Sequence, residues 1–233
     1  ETTGIRLTTW VWNSASGNGP SGWRGGRGLL VDGNVIDGAN HFGLDTYGIE
    51  SQYLSNTIRN VGLIATLGRS GMGCGFTGTN CTENGAGIRI KHSSSAPNHT
   101  ARNNTLRYNR LYQIGMNGID LFGRDMILEH NVIDRACWSK GDCGGIRTFG
   151  RDNFNSTPVR NITIRGNIIR GNEAYDRTGV RSAGGAGIRV GDGNPLIESN
   201  VIMENRGRYG SGLCLNYTVA TIRNNGIALN TGA

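Results

Sequence analysis

The clearest pattern in the chain is an asparagine flanked on both sides by apolar residues, as in LLVDGNVIDGA around Asn34 and ILEHNVIDRA around Asn131. The steps between successive copies are 22, 53, 22, 36, 33 and 25 residues, so the smallest repeating unit has 22 residues. Repeats of this length are typical of solenoid proteins. The copies are centred on Asn34, Asn56, Asn109, Asn131, Asn167, Asn200 and Asn225.

A second element lies between the asparagine copies, a glycine followed by an apolar–x–apolar strand. Alternate side chains of a strand point to opposite faces. We therefore expect the apolar residues to point inward and the residue between them to point outward. The step from this strand to the next asparagine ranges from 7 to 21 residues, which indicates a variable loop. The apolar residues that open these strands are Ile49, Ile88, Ile119, Ile146, Ile188 and Leu213.

This unit predicts an all-β fold, a single-stranded right-handed parallel β-helix of about seven coils. The 39 glycines disfavour helices and favour turns. One asparagine per coil fits an amide ladder, in which stacked side chains hydrogen-bond to their neighbours. An antiparallel sandwich or barrel would give shorter steps, of about 8–12 residues. The leucine pattern of a leucine-rich repeat is absent from the sequence.

The repeat resembles that of the pectate-lyase-like superfamily of right-handed β-helices, with their PbH1-type repeats, over residues 28–230. The resemblance implies a grooved solenoid that usually handles polysaccharides, as a lyase, hydrolase, uronate epimerase or non-catalytic module. The sequence departs from the catalytic motifs of these families. It lacks the paired Asp and Gly-His-Gly of polygalacturonases, the Arg-x-Pro-x-x-Arg of pectate lyases and the Asp-Pro-His of alginate epimerases. Fold alone does not choose among these activities.

The domain organisation follows from where the repeat begins. Residues 1–27 carry no repeat and are predicted to form an N-terminal edge or cap segment, followed by a β-helix domain over 28–233. The absence of a starting methionine and of a signal peptide favours a piece of a longer chain. Two cysteine pairs bracket glycine-rich loops, Cys74 with Cys81 and Cys137 with Cys143. Such short loops suit disulfides and an oxidising compartment, so we expect a secreted or cell-surface protein.

The outward positions of the glycine-initiated strands form a column that contains several charged residues. Neighbouring strands lie about 4.8 Å apart, so these groups are expected to lie close together. One interpretation is a groove in which arginines bind the carboxylates or sulfates of a polysaccharide and aromatic rings cover sugar faces. The other is a solvated sheet in which Arg89, Asp120 and Arg147 form ion pairs across coils. The column begins with Glu50, and the predicted substrate-binding residues are Arg89, Lys91, Phe122, Arg124, Phe149, Arg151 and Arg189.

Two kinds of polysaccharide chemistry fit residues near this column. A uronate lyase needs a base that takes the C5 proton and a cation that neutralises the carboxylate, and Arg147 beside other cations is the candidate. A hydrolase needs carboxylates placed for acid and base roles, for which Asp120 and Asp142 form the best pair. We therefore predict Arg147, Asp120 and Asp142 as the catalytic candidates of a polysaccharide lyase or glycoside hydrolase.

The net charge of +7, most of it from arginine, suits a polyanionic partner such as an acidic polysaccharide or glycan surface. Nucleic acid is a weaker alternative because no nucleic-acid-binding motif occurs, and no apolar run is long enough to span a membrane. Calcium occurs in this superfamily, but no loop carries a calcium signature, so we predict neither a cofactor nor metal ligands. The alternative to an enzyme is a non-catalytic structural or adhesive module, such as a surface fibre, shaft or spike subunit. Uncapped ends of such a module would favour end-to-end self-association.

Overall fold

The chain folds into short strands that stack in three large sheets. The computed structural model describes residues 3–11, 22–63, 85–91, 101–138, 143–148, 159–174 and 184–232, and no helix occurs among them. Sheet 1 has eight strands, and sheets 2 and 3 have seven each. Among the described residues, neighbouring strands of each sheet pair in parallel, except that the first two strands of the chain pair antiparallel. The predicted right-handed parallel β-helix is therefore confirmed.

Each coil contributes one strand to each sheet, in a fixed order. Sheet 1 contains β1 (Thr3–Val11), β2 (Gly22–Gly25), β5 (Phe42–Thr46), β8 (Ala86–Ile90), β11 (Ile119–Leu121), β14 (Ile146–Thr148), β18 (Ile188–Val190) and β22 (Leu213–Leu215). Sheet 2 contains β3 (Leu30–Asp32), β6 (Gln52–Leu54), β9 (Thr105–Arg107), β12 (Arg124–Glu129), β15 (Arg160–Arg165), β19 (Leu196–Glu198) and β23 (Thr221–Arg223). Sheet 3 contains β4 (Val35–Asp37), β7 (Thr57–Val61), β10 (Arg110–Ile114), β13 (Val132–Asp134), β16 (Ile168–Arg170), β20 (Val201–Met203) and β24 (Gly226–Ala228). Two short strands, β17 (Glu173–Ala174) and β21 (Arg206–Gly207), pair separately.

The core fills the interior of the coils with stacked aliphatic side chains. In sheet 1 the parallel register places Ile88, Ile119, Ile146 and Ile188 directly above one another, and all four are fully buried. These are the inward positions that the alternating pattern predicted. Burial of each such side chain stabilises the fold by roughly 1.5–3 kcal/mol.

The amide ladder forms at the corner between sheets 2 and 3, from the seven asparagines that the repeat identified. The Nδ2 of each asparagine but the last, Asn225, donates to the Oδ1 of the asparagine in the next coil, for example Asn109 to Asn131 at 3.0 Å and Asn131 to Asn167 at 3.0 Å. A second, shorter ladder of Asn172, Asn205 and Asn230 lies at the next corner and was not predicted. Because buried amides need partners, the ladders fix the register of successive coils.

One residue per coil takes a left-handed backbone conformation immediately before the ladder asparagine. This conformation costs a residue with a Cβ about 1–2 kcal/mol, so glycine and asparagine are favoured there. Two aromatic residues nevertheless occupy it, Tyr108 with φ 60° and His130 with φ 54°. The residues at this corner are Gly33, Ser55, Tyr108, His130, Gly166, Ser199 and Asn224.

A column of glycines marks the entry into sheet 1, where the strand passes close to sheet 3 and to the next coil. A Cβ added at Gly118 would lie 2.5 Å from the carbonyl oxygen of Gly145 and 2.5 Å from Cγ2 of Ile133. Only glycine fits so close an approach. The column comprises Gly4, Gly43, Gly87, Gly118, Gly145, Gly187 and Gly212.

The two ends of the described coils differ. The strand β1 adds to sheet 1 by pairing Thr3–Leu7 in parallel with β5, and β2 pairs antiparallel with its later part. At the other end the apolar side chains of the last coil are exposed, including Ile222, Ile227 and Leu229.

Candidate functional site

The outward column of sheet 1 is set by the parallel register of its strands. It differs from the predicted column at its first position, because β5 begins seven residues before Ile49 and places Asp45 next to Arg89. Glu50 lies instead at the corner before sheet 2, where it pairs with Arg27 at 2.8 Å. The sequence carried a usable signal, since Gly43–Leu44 also fits the glycine–apolar pattern. The observed column is Arg6, Asp45, Arg89, Asp120, Arg147, Arg189 and Cys214.

Acidic and basic side chains of this column form ion pairs between coils. Arg147 binds Asp120 in bidentate fashion, with Nε to Oδ1 at 2.8 Å and Nη2 to Oδ2 at 2.9 Å. Asp45 accepts from Nε of Arg89 at 2.9 Å and from Nε of Arg6 at 3.2 Å. Bidentate arginine–carboxylate pairs are among the strongest side-chain hydrogen bonds.

Most of these paired side chains are also buried, although Arg6 in the first coil is exposed. Arg147 is 4% exposed, Arg89 is 8% exposed and Asp120 is fully buried. Two charges leave water only when they neutralise each other, because an unpaired buried charge costs several kcal/mol. A catalytic base must be able to accept a proton, and the guanidinium of Arg147 is already engaged by the Asp120 carboxylate.

Aromatic side chains accompany the ion pairs on the same face. The ring of Phe122, which is 5% exposed, has the guanidinium carbon of Arg147 at 5.6 Å and Nζ of Lys91 at 5.8 Å from its centroid. These distances are within the range of cation–π attraction. Tyr47 occupies the position equivalent to Lys91 in the preceding coil. Burial raises the pKa of the Tyr47 phenol.

A second cationic feature lies at the corner where the chain enters sheet 2. Arg102, Arg124 and Arg160 occupy consecutive coils in parallel register, and we call these three residues the arginine corner. Their backbones are about 4.8 Å apart, the spacing of neighbouring strands. Asp125 lies beside them, with its carboxylate 3.1 Å from Nη1 of Arg124 and hydrogen-bonded to Asn161. Nε of Arg124 is buried and makes no hydrogen bond within the described residues.

The outer face of sheet 2 shows how stacked charges are usually arranged in this molecule. Arginine and glutamate alternate from coil to coil, so each charge has an opposite neighbour. Glu129 accepts hydrogen bonds from both Arg107 and Arg165, and Glu198 pairs with Arg223 at 2.7 Å. Burial alone would raise the pKa of Glu129, but the hydrogen bonds from Arg165 and Arg107 outweigh it and the pKa is lowered. This charge ladder consists of Arg107, Glu129, Arg165, Glu198 and Arg223.

The structure brings together some predicted site residues and leaves others unplaced. Arg89, Lys91, Asp120, Phe122, Arg147 and Arg189 share the outer face of sheet 1, and Arg124 lies at the adjoining corner. The predicted disulfide between Cys137 and Cys143 is confirmed. Four further predictions fall outside the described residues: Asp142, Phe149, Arg151 and the Cys74–Cys81 disulfide.

The described residues offer no group of three or more His, Cys, Asp or Glu side chains that could hold a metal ion. Nor does any helix of the described chain have the length and apolar character needed to cross a membrane.

Comparison with known proteins places the fold in context. A solved pectate lyase resembles this fold. The match, to the crystal structure of pectate lyase Pel9A, covers 86% of this chain at 15% identity and a TM-score of 0.35. The chain spans 50% of the length of that lyase. No protein-family model and no curated protein matches the sequence. The fold assignment therefore rests on the three parallel sheets themselves.

Proposed function

We propose that this chain is a secreted β-helix module that binds an acidic polysaccharide at the arginine corner. The observation that carries the proposal is the stacking of Arg102, Arg124 and Arg160 in consecutive coils. Like charges held at strand spacing repel one another. A polyanion that lies across the coils would offset this repulsion. The Cys137–Cys143 disulfide supports an oxidising, extracellular location.

Guanidinium groups suit this ligand class. Their planar forks bind carboxylates and sulfates with two parallel hydrogen bonds, and they remain charged at any physiological pH. Three arginines in a row along the β-helix axis match a chain molecule that carries anionic groups at successive positions, rather than a single small anion.

Bond cleavage is the second candidate function, supported by the cations and Phe122 on the adjoining face of sheet 1. The catalytic candidates Arg147, Asp120 and Asp142 stay predictions. The bidentate pairing of Arg147 with Asp120 favours binding over catalysis, because it occupies the guanidinium that a lyase would use as its base. Cleavage is tested by the ultraviolet absorbance of unsaturated uronates and by new reducing ends, with Arg147→Ala compared with wild type.

Binding is tested with a triple variant, Arg102→Gln, Arg124→Gln and Arg160→Gln, titrated with polygalacturonate, alginate and a sulfated polysaccharide by calorimetry. The triple variant should lose about 0.5–1 kcal/mol of binding free energy for each of the three charge contacts, which lowers its affinity by about ten- to a hundredfold. Wild-type binding should weaken with salt, since exposed charges are screened.

The matched control removes three arginines elsewhere, by Arg59→Gln, Arg170→Gln and Arg206→Gln. Both triple variants reduce the net charge from +7 to +4, that is 7 − 3. In the wild type the control arginines pair with exposed or half-buried carboxylates on other faces. Equal losses in the two variants, or wild-type binding to none of the three polymers, would refute a site at the arginine corner. Equally tight binding of duplex DNA would show that the corner does not select polysaccharides.

End-to-end self-association also remains a proposal. It is supported by the exposed apolar side chains of the last coil, including Ile222 and Ile227. Light scattering over a range of protein concentrations tests it, with Ile222→Lys and Ile227→Lys expected to hold the protein monomeric. A mass that stays constant with concentration in the wild type would reject it.

A further inference from the structure

The corner between sheets 2 and 3 carries a pair of stacked aromatic rings that the proposed function does not use. The rings of Tyr108 and His130 lie on consecutive coils, with centroids 5.5 Å apart and planes within 10° of parallel. Tyr108 is 54% exposed and His130 is also exposed. Both residues hold positive φ angles that bulky side chains seldom adopt. Exposed rings in such a conformation are unusual and suggest a role outside the core.

Within the part of the chain that the structure describes, a neighbouring coil covers this stack on one side. On the side of the following coil, the imidazole of His130 lies over Gly166, where an added Cβ would approach its ring atoms to 2.7 Å. On the side of the preceding coil the equivalent residue is Ser55, a small and exposed side chain. The second face of the Tyr108 ring is therefore directed toward a position where the column carries no third ring.

Two donor-bearing residues lie near this ring in the chain and in the preceding coil. Arg110 begins the next strand and is exposed, and Ser55 occupies the equivalent position of the preceding coil and carries a hydroxyl. Arg107, whose guanidinium carbon lies 5.9 Å from the centroid of the Tyr108 ring, reaches toward Glu129 of the following coil. A ligand on the side of the preceding coil would meet the apolar face of the Tyr108 ring and the donors of Ser55 and Arg110. A pyranose ring has this complementary form, since its C–H face is apolar and its rim carries oxygen atoms.

We infer that the Tyr108–His130 stack is a platform on which one sugar ring of a glycan packs against the free face of Tyr108. His130 supports the opposite face of the Tyr108 ring, and the hydroxyl of Ser55 and the guanidinium of Arg110 would bind hydroxyl groups of the same sugar. The platform lies at a different corner from Arg102, Arg124 and Arg160, so it does not depend on the polysaccharide site proposed there.

The test is proton NMR of neutral tetrasaccharides of glucose, galactose, mannose or xylose, each mixed with the intact protein. A sugar that stacks on an aromatic ring shows upfield shifts of its ring C–H protons. Tyr108→Asn keeps a residue that tolerates left-handed backbone and removes the ring. It should weaken binding at least about fivefold. Tyr108→Phe should retain it.

Tyr217→Asn is the matched control, because Tyr217 is 73% exposed and also has a positive φ, of 51°. Circular dichroism verifies that each variant remains folded. Upfield shifts that persist in Tyr108→Asn, or that disappear equally in Tyr217→Asn, would overturn the platform. The absence of shifts with all four sugars, or stronger binding of adenosine monophosphate than of any sugar, would overturn it as well.

Discussion

The amide ladder makes a specific prediction about stability, because its central members are buried and its last member is not. Asn131 is fully buried and its side chain takes part in four hydrogen bonds. Its Nδ2 donates to the Leu106 carbonyl at 2.9 Å and to Oδ1 of Asn167 at 3.0 Å. Its Oδ1 accepts from the backbone N–H and from Nδ2 of Asn109, both at 3.0 Å. Asn131→Ala removes all four.

The magnitude follows from the groups left without partners. The Leu106 carbonyl, the Asn109 backbone N–H and one Asn109 amide proton lose their partner inside the coil. Each unsatisfied buried group costs about 1–3 kcal/mol, so the three groups together predict a loss of about 3–9 kcal/mol. A typical domain is stable by only about 5–15 kcal/mol. Asn131→Ala should therefore bring the protein close to its unfolding threshold.

Urea unfolding followed by circular dichroism measures this loss, with Asn225→Ala as control. Asn225 makes equivalent bonds, to Asn200 and to the Ile197 carbonyl, but in the last coil and only partly buried. Water can replace its bonds, so the control should lose about 1 kcal/mol. Because solenoids can unfold in steps, hydrogen exchange of the central coils should report the same ranking. Equal losses in both variants would refute the argument that burial makes the ladder essential.

Three further predictions concern the glycine column, the charge ladder and the disulfide. Gly118→Ala should destabilise the fold by about 1–3 kcal/mol, as overpacking does, while Gly226→Ala, whose nearest neighbour would be 4.0 Å away, should leave the thermal midpoint unchanged. Because the pKa of Glu129 is lowered in the fold, its ionised carboxylate stabilises the protein fully above the ordinary pKa of 4.5, and this stabilisation is lost as pH falls through the folded-state pKa. Glu129→Gln should therefore reduce the loss of folding stability at acid pH, measured by urea titrations at successive pH values. Replacing Cys137 and Cys143 by serine should cost about 2 kcal/mol for so short a loop, and an unchanged urea midpoint would contradict a stabilising disulfide.

The fold could be predicted because its determinants repeat. Each coil needs an amide at the same corner and aliphatic residues facing inward, so seven weak local signals reinforce one another. Asn131 and Ile119 were assigned correctly for this reason. The second ladder escaped notice because its column holds apolar residues, such as Ile114, in the earlier coils and changes to asparagine only at Asn172.

The candidate site was harder to predict because a sequence pattern gives neither burial nor pairing. Alternation correctly directs Arg147 and Asp120 away from the core, yet both are buried and bound to each other. The error at Glu50 arose because two glycine–apolar pairs occur close together, at Gly43 and Gly48, and only the register decides between them. Arg124 was predicted singly, but the arginine corner as a column was missed because its members are 22 and 36 residues apart and follow loops whose lengths differ.

Charge in a parallel β-helix is best judged by columns, since each residue's nearest neighbours on a face belong to other coils. On sheet 2, Glu129 lies between two arginines, and on sheet 1, Asp120 neutralises Arg147. In both columns the acid lies between basic residues of the two adjoining coils. At the arginine corner three arginines follow one another in consecutive coils, so like charges are stacked. Repulsion along that column is a cost of folding that an anionic ligand would relieve, which is why we place the polysaccharide site there and not on the paired face.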